Sequence, residues 1–416
     1  MTSGKMIEAN GRHYRWPNQP VVVVCVDGSE PDYMEIAMAE GHMPWLKKNL
    51  AAGGSDLRGH CVVPSFTNPN NLSIVTGAPP AVHGICGNFY YDRENDVEVM
   101  MNEPSLLRTP TIFKAFQDAG AKVAVVTAKD KLRRLLGNEL VMKPGEAVCF
   151  SSEKSDQATL EENGIDRVNE RVGMDVPPVY SAELSEFIFK AGVELMASMR
   201  PDIMYLSTTD YIQHKFAPGS EGANSFYAML DSYWEKLDAM GAILALTADH
   251  GMNAKHDENG QPRVIYLQDH IDKLIGEGKS RVILPITDPY VVHHGALGSY
   301  ATVYLDDGVD QAELKQQLSE IPGMECVLTN EDGCQKFGLA PDRMGDLILV
   351  SEKPMVIGTS ESQHDLSGLD VPLRSHGGIS EQVVPLIFNR KVDYNDERTL
   401  RNFDVFDLAL NHIAVS

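Results

Sequence analysis

Three largely apolar runs, residues 21–26, 201–209 with its apolar centre at 203–206, and 242–248, are each followed at once by an aspartate: Asp27, Asp210 and Asp249. Runs of this length, separated by stretches of helical periodicity, suit strands buried on both faces of a parallel sheet. Residues 31–39 and 43–52 read as helices, the second ended by Gly53 and Gly54. A short strand is expected at 61–63, leading into a turn-rich link, Pro64 to Asn70, so that Thr67 precedes a helix start. Helices at 111–119, 182–199 and 225–240 and a strand at 122–127 continue the alternation. The pattern predicts an α/β fold with a doubly wound, mostly parallel central sheet and helices on both faces.

From about residue 253 to 373 the rhythm changes to short strands (263–267, 281–286, 301–305) with helices at 270–275 and 311–319. This reads as a smaller α+β cap, residues 253–373, inserted into a core formed by 1–252 and 374–416. The core resumes at a strand over 383–388 and ends with a helix over 405–413.

In open α/β sheets, ligands bind beyond the carboxyl ends of the strands, so the three aspartates are expected to share one crevice despite their distance in sequence. Other donors stand beside them. Asp210 and His214 are four residues apart, hence on one face of a helix starting at the strand end. Asp249 and His250 are adjacent, followed by Gly251, which is expected to turn the backbone away. His376 sits in a Ser-His-Gly-Gly loop just ahead of an apolar strand. Asp27, Thr67, Asp210, His214, Asp249, His250 and His376 together read as a two-metal phosphoryl-transfer site. Three histidines and three aspartates suit zinc, and no cysteine pair competes for that role. Thr67 can be an ordinary helix cap or a metal-activated nucleophile. In the second case the Asn68 amide and the Asn88 side chain are expected oxyanion donors. His293 and His294 are assigned to the cap, lining the pocket or the surface, and His83, His256 and His364 are left outside the site.

The 416 residues carry 36 Lys and Arg against 59 Asp and Glu, a formal charge of −23. Such a balance excludes coating nucleic acid or an anionic membrane as the main task. An anionic substrate then needs a locally positive site. Six irregularly spaced cysteines suggest reduced thiols. Neither an apolar leader core in residues 1–18 nor a run of about 18 apolar residues is found. The expectation is a cytoplasmic protein without nucleic-acid or membrane partners, for which a homodimer is admitted.

The motifs VCVDG (24–28), PSFTNPNN (64–71), HGICGN (83–88), TTDYIQHK (208–215), TADHGM (247–252) and SHGG (375–378) resemble, in the same order, those of the alkaline phosphatase superfamily, in its nucleotide phosphodiesterase-like branch. The resemblance implies two Zn2+ ions per chain, one held by Asp27, Thr67, Asp249 and His250 and the other by Asp210, His214 and His376. It is most similar to members of that branch that cleave the carbon–phosphorus bond of phosphonoacetate, in which lysines hold the substrate carboxylate. Lys129 and Lys131, at the exit of the 122–127 strand, match that role. The implied activity is hydrolysis of this small anionic phosphonate through a phosphothreonine. A zinc phosphodiesterase or nucleotide pyrophosphatase is the alternative, and a non-catalytic, metal-stabilised binding protein a third.

Overall fold

The computed structural model describes residues 4–287 and 295–414; His293 and His294 lie outside the described residues. In chain order the principal strands are β1 (Val21–Cys25), β2 (Ser55–His60), β3 (Val123–Thr127), β4 (Ala147–Ser151), β5 (Ile203–Ser207), β6 (Ile243–Thr247), β7 (Ser280–Ile283), β8 (Tyr300–Leu305), β9 (Met324–Thr329), β10 (Leu347–Ser351) and β11 (Val383–Phe388). The larger sheet has the order β2-β11-β6-β1-β5-β3-β4. Its β6, β1, β5, β3 and β4 run parallel, and β11 is antiparallel to both β6 and β2.

Every residue of β1, β3, β4 and β5 is buried, which is why most of these strands read as unbroken apolar runs. Alternate side chains go to opposite faces: Val22 and Val24 meet Phe187, Leu230 and Trp234, while Val21 and Val23 meet Leu72, Val75 and Phe113. Fully burying one such valine contributes roughly 2 kcal/mol. The helices that matter most to the site and to the burial of this sheet are α1 (Thr67–Thr76), α2 (Asp130–Leu136), α3 (Ala182–Ser198), α4 (Tyr211–Lys215) and α5 (Glu221–Ala239).

The first edge strand departs from the expectation. Residues 61–63 are buried but form no strand; the chain pairs one step earlier, as β2, whose sequence SDLRGH alternates weakly. An edge strand pairs on one side only, so tertiary pairing with β11, not apolar content, selects it. The β4 strand and the Met6–Ala9/Arg12–Arg15 hairpin also escaped the sequence reading.

Register places the site. Thr247, Cys25, Ser207 and Thr127, the last residues of β6, β1, β5 and β3, lie side by side across the sheet. The residues that follow them therefore emerge along one edge: Asp249, Asp27, Asp210 and Lys129. The smaller sheet, β7-β8-β10-β9, is antiparallel throughout. Its apolar core takes in Val63 and Phe66 from the other side of the crevice. Phe66 stands edge-on to Tyr300 of β8 at 6.3 Å, so the residue before Thr67 is anchored on the smaller sheet.

Candidate metal centre and its pocket

The three parallel strands deliver their acids as their ends dictate. After β1, Gly28 takes a left-handed conformation (φ 72°) and has no room for a side chain: a Cβ there would stand 3.0 Å from Asp210 Cβ. After β5, Asp210 caps α4, and one turn later His214 points back, its Nε2 2.9 Å from Asp210 Oδ2. After β6 come Asp249 and His250, both fully buried. His376 precedes a strand instead of following one because β11 is antiparallel, so its start shares the edge where its parallel neighbours end. All six acid and imidazole side chains predicted from sequence thus meet at this edge.

Among the described residues, two groups of ligand atoms are close enough to hold an ion: Asp210, His214 and His376, and Asp27, Asp210 and His250. Asp210 belongs to both. Asp249 stands slightly aside, its Oδ2 3.8 Å from His250 Nε2. Asp249 Oδ1 accepts from the Gly28 and His250 amides, and Oδ2 accepts from Asn71 Nδ2 at 3.1 Å. Asn71 was not foreseen. Its own Oδ1 accepts from the Tyr205 and Ser207 hydroxyls, which fixes its amide toward Asp249.

The donor set fits metal ions on a structural ground. His214, His250 and His376 each place Nδ1 within 2.7–2.9 Å of a backbone carbonyl, those of Arg374, Gly251 and Ser65. A carbonyl only accepts, so Nδ1 carries a proton in each ring and Nε2 is the atom left to meet a metal ion. These Nε2 atoms face carboxylate oxygens: His250 Nε2 lies 3.2 Å from Asp27 Oδ1 and His376 Nε2 lies 3.6 Å from Asp210 Oδ2. Asp27 Oδ1 is buried and no hydrogen bond satisfies it. Positive charge must stand between each such pair, either a proton on the ring or a metal ion in its place. Moreover, the His250 and His376 rings stack at 3.7 Å and 6°, a contact two imidazolium ions would not keep.

Charge tells the same story. Burial, then the neighbouring Asp249 and Asp210, pushes the Asp27 carboxyl well above the carboxylate range. Although burial lowers it, the negative charge of Asp249, Asp27 and Asp210 pushes His250 up to about 10. Burial, reinforced by the positive charge on His250, holds His376 well below its ordinary value. Three crowded acids against one imidazolium leave the site short of positive charge. Divalent ions would supply it.

Thr67 is the first residue of α1, not the residue before it. The cap position is Phe66, and no side chain caps this end. The Thr67 hydroxyl is therefore not spent as a cap, and Oγ1 lies 3.5 Å from His250 Nε2. The Asn68 amide donates to Asn88 Oδ1 at 3.2 Å, and both residues line the cavity; Asn68 Nδ2 donates to the Met101 carbonyl and Asn102 Oδ1. Behind His214, the buried Arg374 guanidinium donates to the Gln213 and Met252 carbonyls and the Tyr33 hydroxyl. Neither Asn102 nor Arg374 carried a sequence signal, since each acts only through a fold contact.

A cavity of about 430 Å³ opens from these ligands to the start of α2. Asp27, Thr67, Asp210 and His376 line one end; Lys129, Lys131, Arg134 and Lys154 line the other. Asp130 is turned onto Arg133, with Nε to Oδ1 2.7 Å, and Glu153 accepts the Asp130 amide at 2.8 Å. Lys129 lies over the Tyr180 ring, 5.4 Å from its centre, and Tyr180 approaches Tyr211 at 5.8 Å. His83, His256 and His364 lie outside this constellation, His83 buried against Ser73. No helix among the described residues is long and apolar enough to cross a membrane.

Residues 21–378 match the type I phosphodiesterase/nucleotide pyrophosphatase family. Phosphonoacetate hydrolase from Sinorhizobium meliloti, crystallised with phosphonoformate, is 57% identical, with TM-score 0.96 over 99% of this chain and 100% of that one. Its complex with phosphonoacetate superposes equally well, with TM-score 0.96. Murine ectonucleotide pyrophosphatase/phosphodiesterase 5, in complex with AMP, shares the fold at TM-score 0.63 over 96% of each chain, with 17% identity. Among curated proteins, an uncharacterized pyrophosphatase/phosphodiesterase of Schizosaccharomyces pombe is 25% identical over 51% of this chain and 38% of its own length. Venom phosphodiesterase of Macrovipera lebetinus is 24% identical over 61% of this chain and 28% of its own. The chain spans well under half the length of these two curated relatives. With its sheet, its ordered motifs and its cluster of metal-capable residues, the chain belongs to the hydrolytic, metal-dependent type I phosphodiesterase/nucleotide pyrophosphatase family of the alkaline phosphatase superfamily.

Proposed function

We propose that this chain is a two-metal hydrolase that cleaves the carbon–phosphorus bond of phosphonoacetate, releasing acetate and phosphate, with zinc at both sites and Thr67 as nucleophile. The observation that carries this reading is one cavity joining Thr67 and the ligand cluster to Lys129 and Lys131. Identity of 57% to the Sinorhizobium meliloti enzyme over 99% of the chain supports it.

Asp210, His214 and His376 would hold one ion, and Asp27, Asp249 and His250, with Thr67, the other. When bound, the ions supply positive charge that lowers the pKa of the Thr67 hydroxyl and offsets charge on the phosphoryl oxygens. Thr67 Oγ1, its proton given up to water, forms a bond to phosphorus as the bond from phosphorus to carbon breaks. The electron pair of that bond passes to the methylene carbon and spreads into the substrate carboxylate. Lys129 and Lys131 hold this carboxylate and stabilise the developing enediolate more than the ground state, which is what acceleration requires. The Asn88 side chain, oriented by the Asn68 amide, donates to a phosphoryl oxygen. Water protonates the carbon to give acetate. A second water hydrolyses the phosphothreonine, restoring the hydroxyl and releasing phosphate. Six free cysteines and no disulfide suit a reducing, cytoplasmic setting.

The test is release of phosphate and acetate from phosphonoacetate by zinc-loaded protein, beside Lys129→Ala and Lys131→Ala. No release, or lysine variants as active as wild type, would remove the proposal. The family match favours a second reading, a zinc phosphodiesterase or nucleotide pyrophosphatase. Strong turnover of a nucleotide diester with negligible phosphonoacetate turnover would select it.

A further inference from the structure

The loops that carry His250 and His376 are tied together behind the ligands by one buried ion pair. Glu381 and Lys255 have no exposed side-chain surface, and Lys255 Nζ lies 2.9 Å from Glu381 Oε1. Neither lines the cavity. Taking two charges out of water costs several kcal/mol per ion, and such a pair often adds nothing to stability over an apolar replacement. Its contacts point to a different use.

Glu381 Oε2 accepts the Gly378 amide at 2.9 Å, two residues beyond His376. Oε1 accepts Asn253 Nδ2 at 2.6 Å, three residues beyond His250, and also the Ser380 hydroxyl and Lys255 Nζ. The backbone carbonyl of Glu381 accepts the amide of Gly251 at 2.8 Å. Gly251 is glycine for this approach and not for a left-handed turn, since a Cβ there would stand 3.2 Å from that carbonyl oxygen. Lys255 Nζ is fixed in turn by the Lys353 carbonyl at 2.7 Å. A two-residue β-bridge, Asn253 with Ser375 and Ala254 with Arg374, runs between the same segments. The two loops thus meet on a single carboxylate, and their histidines stack in parallel at 3.7 Å.

We infer that Glu381, held by Lys255, is a positioning residue: it sets the spacing of the His250 and His376 loops and hence the distance between the two ligand groups to which those histidines belong. This rests on the two-metal reading above. Four donors face the carboxylate, whereas an amide has a single acceptor oxygen. Glu381→Gln therefore sets an NH2 against either the Gly378 amide or the Asn253, Ser380 and Lys255 donors. The Glu381→Leu/Lys255→Met double variant removes both charges with little change of volume.

Zinc stoichiometry and affinity, read by competition with a chromogenic chelator, form the test, with melting of the metal-free proteins alongside. Glu381→Gln and the double variant are each expected to bind at least one zinc about tenfold or more weakly, the range seen when groups orienting metal ligands are lost. In both, kcat for phosphonoacetate falls while KM changes less than threefold. A merely structural role would lower metal-free melting and leave the affinity of the folded fraction unchanged. If either variant, folded, binds two zinc ions with wild-type affinity, the inference is overturned and the two-metal reading stands. If wild type itself binds no zinc, both fall together.

Discussion

The two ends of the cavity are built in opposite ways. At the metal end, each histidine is pinned by a carbonyl behind it, and Asp249, His250 and His376 are buried at the ends of sheet strands. At the other end, Lys129 precedes a seven-residue helix whose first turn carries Lys131, and Lys129 rests over Tyr180, a residue 42% exposed. Geometry at the first end is over-determined, which suits the reacting centre of the proposed hydrolysis. The second end stands at the start of a short helix beside the cavity, where a change of side chain costs the fold little. On the proposed reading, chemistry falls to the rigid half and choice of leaving group to the adaptable half.

That contrast makes four predictions. Thr67→Ala should lower kcat for phosphonoacetate by about 10⁴-fold, a loss of about 5.5 kcal/mol in transition-state stabilisation. Zinc content by elemental analysis should stay near two per chain; a variant keeping more than a tenth of wild-type turnover would show that the nucleophile lies elsewhere. Stripping zinc should lower melting temperature strongly, since free ligand at about 1,000 times its Kd adds roughly 4 kcal/mol per site. Calorimetry with and without chelator measures this, and an unchanged transition would count against a metal-held edge.

At the lysine end, Lys129→Ala together with Lys131→Ala should cost about 10²-fold to 10³-fold in kcat/KM for phosphonoacetate, or about 3 to 4 kcal/mol. Turnover of an aryl phosphodiester, which has no carboxylate to hold, should change less than threefold. Equal losses on both substrates would erase the division of labour. The smallest effect concerns His83, buried beneath α1 with its Nε2 2.9 Å from Ser73 Oγ. Burial lowers its pKa to about 3 in the folded chain, against about 6.5 unfolded. Its contribution is therefore complete above pH 6.5 and is lost as pH falls from there toward 3, at about 1.4 kcal/mol per pH unit. Denaturant titration of metal-free protein at pH 7.0 and 5.5 should show that slope in wild type and not in His83→Gln. If the slopes agree, His83 is hydrated in the native state.

Strand and helix spans over the core were largely readable because five strands of the sheet are apolar or nearly so on both faces. Pro31–Ala39, Gln311–Ser319 and Val383–Phe388 coincide with the expected ranges. The edge strand Ser55–His60 was not readable, because one-sided pairing demands no apolar run. Thr67 was displaced by one position for a related reason: the cap is Phe66, whose ring is committed to Tyr300 and His376, and no sequence rule for helix starts would choose a phenylalanine.

Side chains able to bind metal, and their order along the chain, were legible in one dimension, since an acid or imidazole at the end of an apolar run is a local signal. What lay beyond that reading is every relation across the sheet: Asp210 common to both ligand groups, Asn71 holding Asp249, Arg374 behind His214, and Glu381 joining two loops. Such contacts link residues that chain connectivity leaves remote. They arise from strand register, which aligns Thr247, Cys25, Ser207 and Thr127 on one edge, and register is settled by packing both faces of the sheet at once.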